Sequence, residues 1–272
     1  MLIVDCPAFD PRFAGFRRDE LLSCLRRNSE CGIFDEIVLL NEVDVPSDVL
    51  ASMGRRNVTL VHTGKRLTYA SAFEFAHERA KPTAATTSAA AADAAPAGDF
   101  RLRAVLANAD IAFDHESCSL LRSAAIPENT VLACSRYNQE AGSVRSIIHH
   151  NQTSSQDAWV FDVPSPLLAK SKVGDIALGI IGCDNAVAGA MISAGMRLVN
   201  TSRYMVMFHV HASNVRKRKM RIKRSDDMPY GRSILLDKRA AAEMFGESAV
   251  RHPDYVDAPV AAPSQPADAS AL

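Results

Sequence analysis

The sequence predicts an α/β protein built on a single Rossmann-like, mostly parallel central sheet flanked by helices. Two observations carry this: short continuous apolar runs of strand length recur along the chain, and helical stretches separate them. A third sets the scale. The 272 residues, 47% of them hydrophobic, suffice for one large α/β domain or two small ones with a substantial core.

Leu2-Ile3-Val4 reads as a short buried strand. From Arg17 to Asn28, helical spacing puts Leu21, Cys24, Leu25 and Asn28 on one face with Leu22 beside them. Glu36 to Leu40 is an apolar run of strand length, Ser47 can cap a short helix through Met53, and Val58 to Val61 is another strand. Tyr69, Phe73 and Ala76 then recur as on a helix over Tyr69 to Ala80. Lys81 to Gly98 is mostly Ala with Thr, Pro and an Asp; with no large side chain to bury, it is expected to be a flexible surface insertion.

Order resumes at Phe100. Leu102 to Ala107, Thr130 to Ser135 and Ala158 to Phe161 read as strands, His115 to Ser123 as a helix, and Asn185 to Ala194 as a helix closed by Gly195. From Ser225 the chain turns polar, and from Asp257 it is mostly Ala, Pro and Ser. One folded domain is therefore expected over residues 1–224, with a disordered tail over 225–272. No internal repeat is visible.

Lys plus Arg balance Asp plus Glu at 31 each, so no bulk field draws the molecule to nucleic acid or to an anionic membrane, and any charged site must be local. Six cysteines without a CxxC pair or a zinc spacing predict reduced thiols and a cytoplasmic location. No basic start followed by a long apolar stretch opens the chain, and no later run approaches a spanning length. The glycosylation patterns at Asn57, Asn151 and Asn200 are accordingly read as chance.

Several segments could carry chemistry. Val105 to Asp114 is an apolar strand running into acids, and ligand crevices of open parallel sheets lie at the carboxyl ends of strands. Asp110 there could hold a hard divalent cation and the phosphates it bridges; alternatively Asp110 and Asp114 are turn residues capping the next helix. In Leu178 to Asn185, glycines bracket an apolar pair and Asp184 falls at a helix start, where it could cap the helix or accept a proton from a hydroxyl nucleophile. His209 and His211 alternate on a strand and so share a face, either as metal ligands or as hydrogen-bonded structure. Asp157 and Trp159 pair a carboxylate with the only tryptophan, a combination suited to a carbohydrate acceptor, although a lone Trp serves equally as a core anchor. Arg66 could meet a diphosphate or a surface carboxylate. The basic run Arg216 to Arg224 could close over a nucleotide diphosphate or touch anionic lipid, but charge runs are usually solvated, and without interleaved aromatics it does not suit nucleic acid.

In order, these segments resemble a family of glycosyltransferase-like proteins with the type A, nucleotide-diphospho-sugar fold. The shared pattern is an Arg-rich start with Cys-Leu-x-x-Asn (Arg18 to Asn28), Arg66-Leu67-Thr68-Tyr69, Ala107 to Ile111 with Phe113-Asp114, Ser135-Arg136-Tyr137, Gln156 to Phe161, Leu178-Gly179 with Gly182 to Asn185, and His209-Val210-His211 followed by Ser213 and Arg216. The resemblance covers most of the chain up to Arg216, the Ala-rich insertion apart. It implies a glycosyltransferase that moves a sugar from a nucleoside-diphosphate donor to an acceptor hydroxyl with Mn2+ or Mg2+. Asp110 would hold the metal with His209 or His211, Arg66 and Asn108 would join Asp110 at the donor, Asp157 and Trp159 would face the acceptor, and Asp184 would be the base. Asn108 stands where the family's Asp-x-Asp element has its first acid, so it can hydrogen-bond but not ligate as a carboxylate. Two other readings remain: a non-catalytic sugar- or nucleotide-binding module of the same fold, and a nucleotidyltransferase, for which the Gly-rich loop expected near the N-terminus is missing.

Overall fold

The computed structural model describes residues 1–5, 15–45, 57–81, 101–139, 146–148, 153, 155–210, 222, 229–247 and 249. The predicted helix from Ser47 to Met53, all of the Ala-rich insertion after Lys81, His211, and the basic run apart from Ile222 lie outside them.

The strands are β1 (Leu2–Val4), β2 (Ile37–Asn41), β3 (Val58–His62), β4 (Leu102–Ala107), β5 (Ile111–Phe113), β6 (Thr130–Cys134), β7 (Tyr137–Gln139), β8 (Ser146–Ile148), β9 (Ala158–Val163), β10 (Arg197–Asn200), β11 (Met207–Val210) and β12 (Ile234–Leu235). The helices are α1 (Phe16–Glu30), α2 (Tyr69–Arg79), α3 (His115–Cys118), α4 (Leu120–Ser123), α5 (Pro166–Lys170), α6 (Cys183–Ser193) and α7 (Lys238–Phe245). The main sheet has eight strands in the order β12-β10-β6-β9-β4-β1-β2-β3, and a smaller one has the order β5-β11-β7-β8. Every neighbouring pair in the main sheet is parallel except those made by β9, which runs antiparallel to both β4 and β6. The result is the expected mostly parallel α/β sheet.

Side chains alternate across a strand, and here both faces are covered. Leu2, Ile37, Val105, Leu132 and Val160 enter one core layer beneath α1 and α7, while Ile3, Val38, Leu106, Val131 and Trp159 enter the other beneath α2 and α6. Two covered faces explain why the strands read as unbroken apolar runs. In the second layer Trp159, only 1% exposed, meets Tyr69 edge-on at 6.0 Å, and Phe73 meets Phe161 edge-on at 5.1 Å. Burying each such side chain contributes roughly 1.5–3 kcal/mol. Asn28, a polar residue on the buried face of α1, clamps β5 from both sides: its Nδ2 donates to Ile111 O at 2.8 Å and its Oδ1 accepts from Phe113 N at 2.9 Å.

Three expectations need correction. The helix from His115 to Ser123 is two short turns divided at Ser119. β9 extends to Val163, fixed at its far end by the fork of Arg103 on Asp162, with Nε–Oδ1 2.7 Å and Nη2–Oδ2 2.8 Å. The region assigned to a tail is folded over residues 229–247, because Ala241, Met244 and Phe245 recur at helical spacing and are buried, and Asp237 caps their helix through Ala240 N at 2.8 Å. This returning segment lies against α6 so closely that a Cβ on Gly189 would stand 1.7 Å from Pro229 O, which only glycine permits. Among the described residues no helix is long and apolar enough to cross a membrane, and Cys24, Cys31, Cys118, Cys134 and Cys183 are free thiols.

Candidate functional site

The reversal of β9 builds the site. An antiparallel strand brings its beginning, not its end, to the carboxyl ends of its parallel neighbours, and the register places Ala158 opposite both Ala107 of β4 and Cys134 of β6. The next residues outward therefore converge: Asn108 N donates to Asp157 O at 3.0 Å, and Asp157 N donates to Cys134 O at 2.9 Å. Asp157 becomes the centre of a polar row closed by Asn108 on one side and by Arg136 on the other.

Asp110 lies within a turn closed by Ile111 N to Asn108 O at 3.1 Å. Its Oδ2 accepts from Arg17 Nη2 at 2.6 Å and from His209 Nε2 at 3.0 Å. Both donors are placed by backbone: Arg17 by the first turn of α1, which Asn28 ties to β5, and His209 by its register opposite Ile111. Burial pushes the Asp110 carboxyl up, but the hydrogen bond and charge of His209, then those of Arg17, outweigh it and hold the group below the usual carboxylate range. It stays ionised.

Asp157 is 3% exposed. Its Oδ1 accepts from Arg136 Nη1 and from Asn108 Nδ2, the latter at 3.2 Å, while its buried Oδ2 has no partner among the described residues. Burial raises its pKa, with Arg136 opposing and the Asp110 charge reinforcing the rise. A buried carboxylate oxygen without a donor is costly, and a ligand hydroxyl would satisfy it.

Asp184 does not cap its helix. The N-cap is Gly182, with φ at 87° in the left-handed region, and no side chain caps the helix there. Gly179, at φ 71°, makes the preceding turn, so the two glycines of the Gly-x-x-Gly bracket serve to aim α6 at the site. The Asp184 Oδ1 instead accepts from Tyr69 OH and from Cys183 Sγ, each at 3.3 Å. Burial, and then the charge of Asp157, push its pKa from the ordinary 3.8 up to about 7. The Tyr69 hydroxyl is pushed well above its usual value by burial and then by the Asp184 charge, so it remains a donor.

Of the residues singled out from sequence, the structure thus gathers Asn108, Asp110, Asp157, Asp184 and His209 at one end of the sheet. Asp114 is set aside: it caps α3 by accepting from Ser117 N at 2.8 Å. Arg66 is exposed and donates from Nη2 to Leu178 O at 2.6 Å, on the loop that leads into α6. Trp159 is buried beneath Tyr69 and presents no ring face to an acceptor, because as the second residue of β9 it points into the α2/α6 layer. Arg17 and Arg136 belong to the site, yet sequence reasoning did not place them in it. Each lies far along the chain from the carboxylate it meets, and only the strand order brings them together.

A divalent cation can be tested against the donor set. No group of three or more His, Cys, Asp or Glu side chains among the described residues forms a preformed cage. Asp110 and His209, whose Oδ2 and Nε2 lie 3.0 Å apart at the same end of the sheet, could give one oxygen and one nitrogen to a cation that takes one or two protein ligands and completes its shell with substrate phosphates.

No protein-family model matches the chain, and no curated protein matches its sequence. Among solved structures it is similar to one described as the crystal structure of 4-diphosphocytidyl-2C-methyl-D-erythritol synthase, with a TM-score of 0.39 and 15% identity over 83% of this chain and 94% of that one. A likeness of this size assigns the chain no activity; the fold rests on the strand order and the site on its geometry.

Proposed function

We propose that this protein transfers a sugar from a nucleoside-diphosphate donor to an acceptor hydroxyl, with Asp184 as the base. One observation carries the reading: two carboxylates at the same end of the sheet keep opposite company, Asp110 meeting the nitrogen donors Arg17 and His209 and Asp184 meeting Tyr69 and Cys183, so that Asp110 is held ionised while burial and the charge of Asp157 push Asp184 up. Such a pair marks a division of labour between a charge-holding group and a proton-transferring one. A base works best when its pKa lies near the operating pH, and Tyr69, donating to Oδ1, orients Asp184 for that role. Asp157, steadied by Arg136 and Asn108, would offer a sugar hydroxyl its Oδ2, which has no donor among the described residues. Arg66, between β3 and α2 and bonded to Leu178 O on the loop leading into α6, would meet anionic parts of the donor. Asp110 and His209 would hold Mn2+ or Mg2+, which when bound neutralises the departing nucleoside diphosphate.

The test is thermal stabilisation by a panel of nucleoside diphosphate sugars, with and without Mn2+. One donor should raise the melting temperature of the wild type with the metal present, and that rise should vanish in Asp110→Ala. Absence of stabilisation by every donor in both conditions sinks the proposal.

A further inference from the structure

We propose that Arg17 is a resident counter-ion which keeps Asp110 and His209 closed to a bare divalent cation and passes its guanidinium to the donor's phosphates when cation and donor arrive together. The inference rests on the donor-site reading above and concerns how that site is loaded. The oxygen a cation would need, Asp110 Oδ2, already accepts from Arg17 Nη2 at 2.6 Å and from His209 Nε2 at 3.0 Å. A doubly charged ion approaching that oxygen meets a fixed positive charge at contact distance, and the repulsion is little screened beside a largely buried pair.

Arg17 has a second anchor that lets it move without being lost. Its Nη1 donates to Glu20 Oε2 at 3.0 Å, and Glu20, one turn along α1, is itself buried at 7% exposure. The guanidinium can therefore swing off Asp110 while Glu20 holds its other nitrogen. The side chains of Arg17 and Asp110 are 19% and 15% exposed, so the pair lies at the rim of the cluster, where a diphosphate can reach it. A guanidinium fork suits phosphate oxygens as well as it suits a carboxylate. Arg136 offers a contrast, because its partner Asp157 is 3% exposed and that pair lies deeper. Cation and diphosphate should consequently bind as coupled ligands, each raising the other's affinity.

The experiment titrates Mn2+ alone, in the absence of any phosphate, into the full-length wild type, Arg17→Gln, Arg17→Lys and Arg17→Gln/Asp110→Asn, reading free Mn2+ by electron paramagnetic resonance. The wild type should bind weakly, and Arg17→Gln at least about tenfold more tightly, the scale of one lost charge contact. Arg17→Lys, which keeps the charge, should stay near the wild type, and the double variant should lose the gain. Arg17→Met, which keeps the apolar stem, replaces Arg17→Gln if circular dichroism shows the latter unfolded. Equal Mn2+ affinity in the wild type and the neutral variant, whether tight or immeasurable, overturns the counter-ion role. In that event the donor panel with Mn2+ separates the two ideas: stabilisation of the wild type leaves the nucleotide-sugar reading standing, and its absence removes both.

Discussion

Asp110 follows a parallel strand and meets two nitrogen donors, an arginine and a histidine, whereas Asp184 opens a helix and meets a phenol, a thiol and the field of another carboxylate. Burial acts on both in the same direction. What separates them is the company each keeps, and that company is set by topology. β5 and β11 bring His209 to Asp110, while the turn through Gly179 and Gly182 delivers Asp184 to Tyr69 of α2, in the same helical layer as α6. A carboxylate's function here is read from its neighbours across the sheet rather than from its place in the chain.

The largest expected effect is on turnover. Asp184→Asn should bind donor with near-normal affinity by calorimetry yet transfer sugar at least ~100-fold more slowly, the range for loss of a general base. Wild-type kcat/KM should fall as pH drops below about 7, the value to which Asp184 is raised, and the residual rate of the variant should lack that limb. Unimpaired turnover in the variant would falsify the division of labour between the two acids.

A smaller effect is on stability. The folded-state pKa of Asp184 is raised from 3.8 to about 7, so between these values the folded protein holds more protons than the unfolded chain. Stability from this group is fully present below about pH 4 and is lost as pH rises through about 7. Asp184→Asn should therefore melt near the wild type at pH 4 and a few degrees above it at pH 8. A wild type that outlasts the variant at pH 8 would reverse the sign and mean that Asp184 is stabilised as the anion.

The smallest change sharpens the comparison from within one segment. Asp114 is four residues from Asp110 but only caps α3, so Asp114→Ala should cost about 0.5–2 kcal/mol in chemical denaturation and leave donor affinity unchanged. Loss of donor binding in that variant would show that the segment Asn108 to Asp114 acts as a unit, not through Asp110.

Much of the fold was legible because its strands are buried on both faces and its helices carry clear apolar spacing. Leu2 to Val4, Val58 to Val61 and Leu102 to Ala107 lie in strands as read. The small sheet was less legible: β5, β7 and β8 have three residues each, too short for any period to show. The folded end of the chain was hidden in a polar region, where only the spacing of Ala241, Met244 and Phe245 behind Asp237 signals a helix. In the site, the acids stood out because each follows or precedes an apolar run. Their arginine partners did not, since the bond from Arg17 to Asp110 crosses 93 positions and follows no local pattern. Of the two readings open for Trp159, the core anchor is the one its burial supports: it stands on a strand covered on both faces, so neither side of the sheet offers its ring to solvent.

The reversed strand β9 also governs how the sheet comes apart. Among the described strands it alone joins the half containing β1 to β4 to the half containing β6, β10 and β12. Its seams are unequal: six positions pair with β4 and three with β6. If local opening takes the shorter seam first, the amide hydrogens of β6 that face β9 should exchange with solvent before those of β4. Since Arg136 and Asp157 stand on opposite sides of that seam, their salt bridge also serves as its latch. A sugar hydroxyl bound to Asp157 would slow exchange through a strand it never touches.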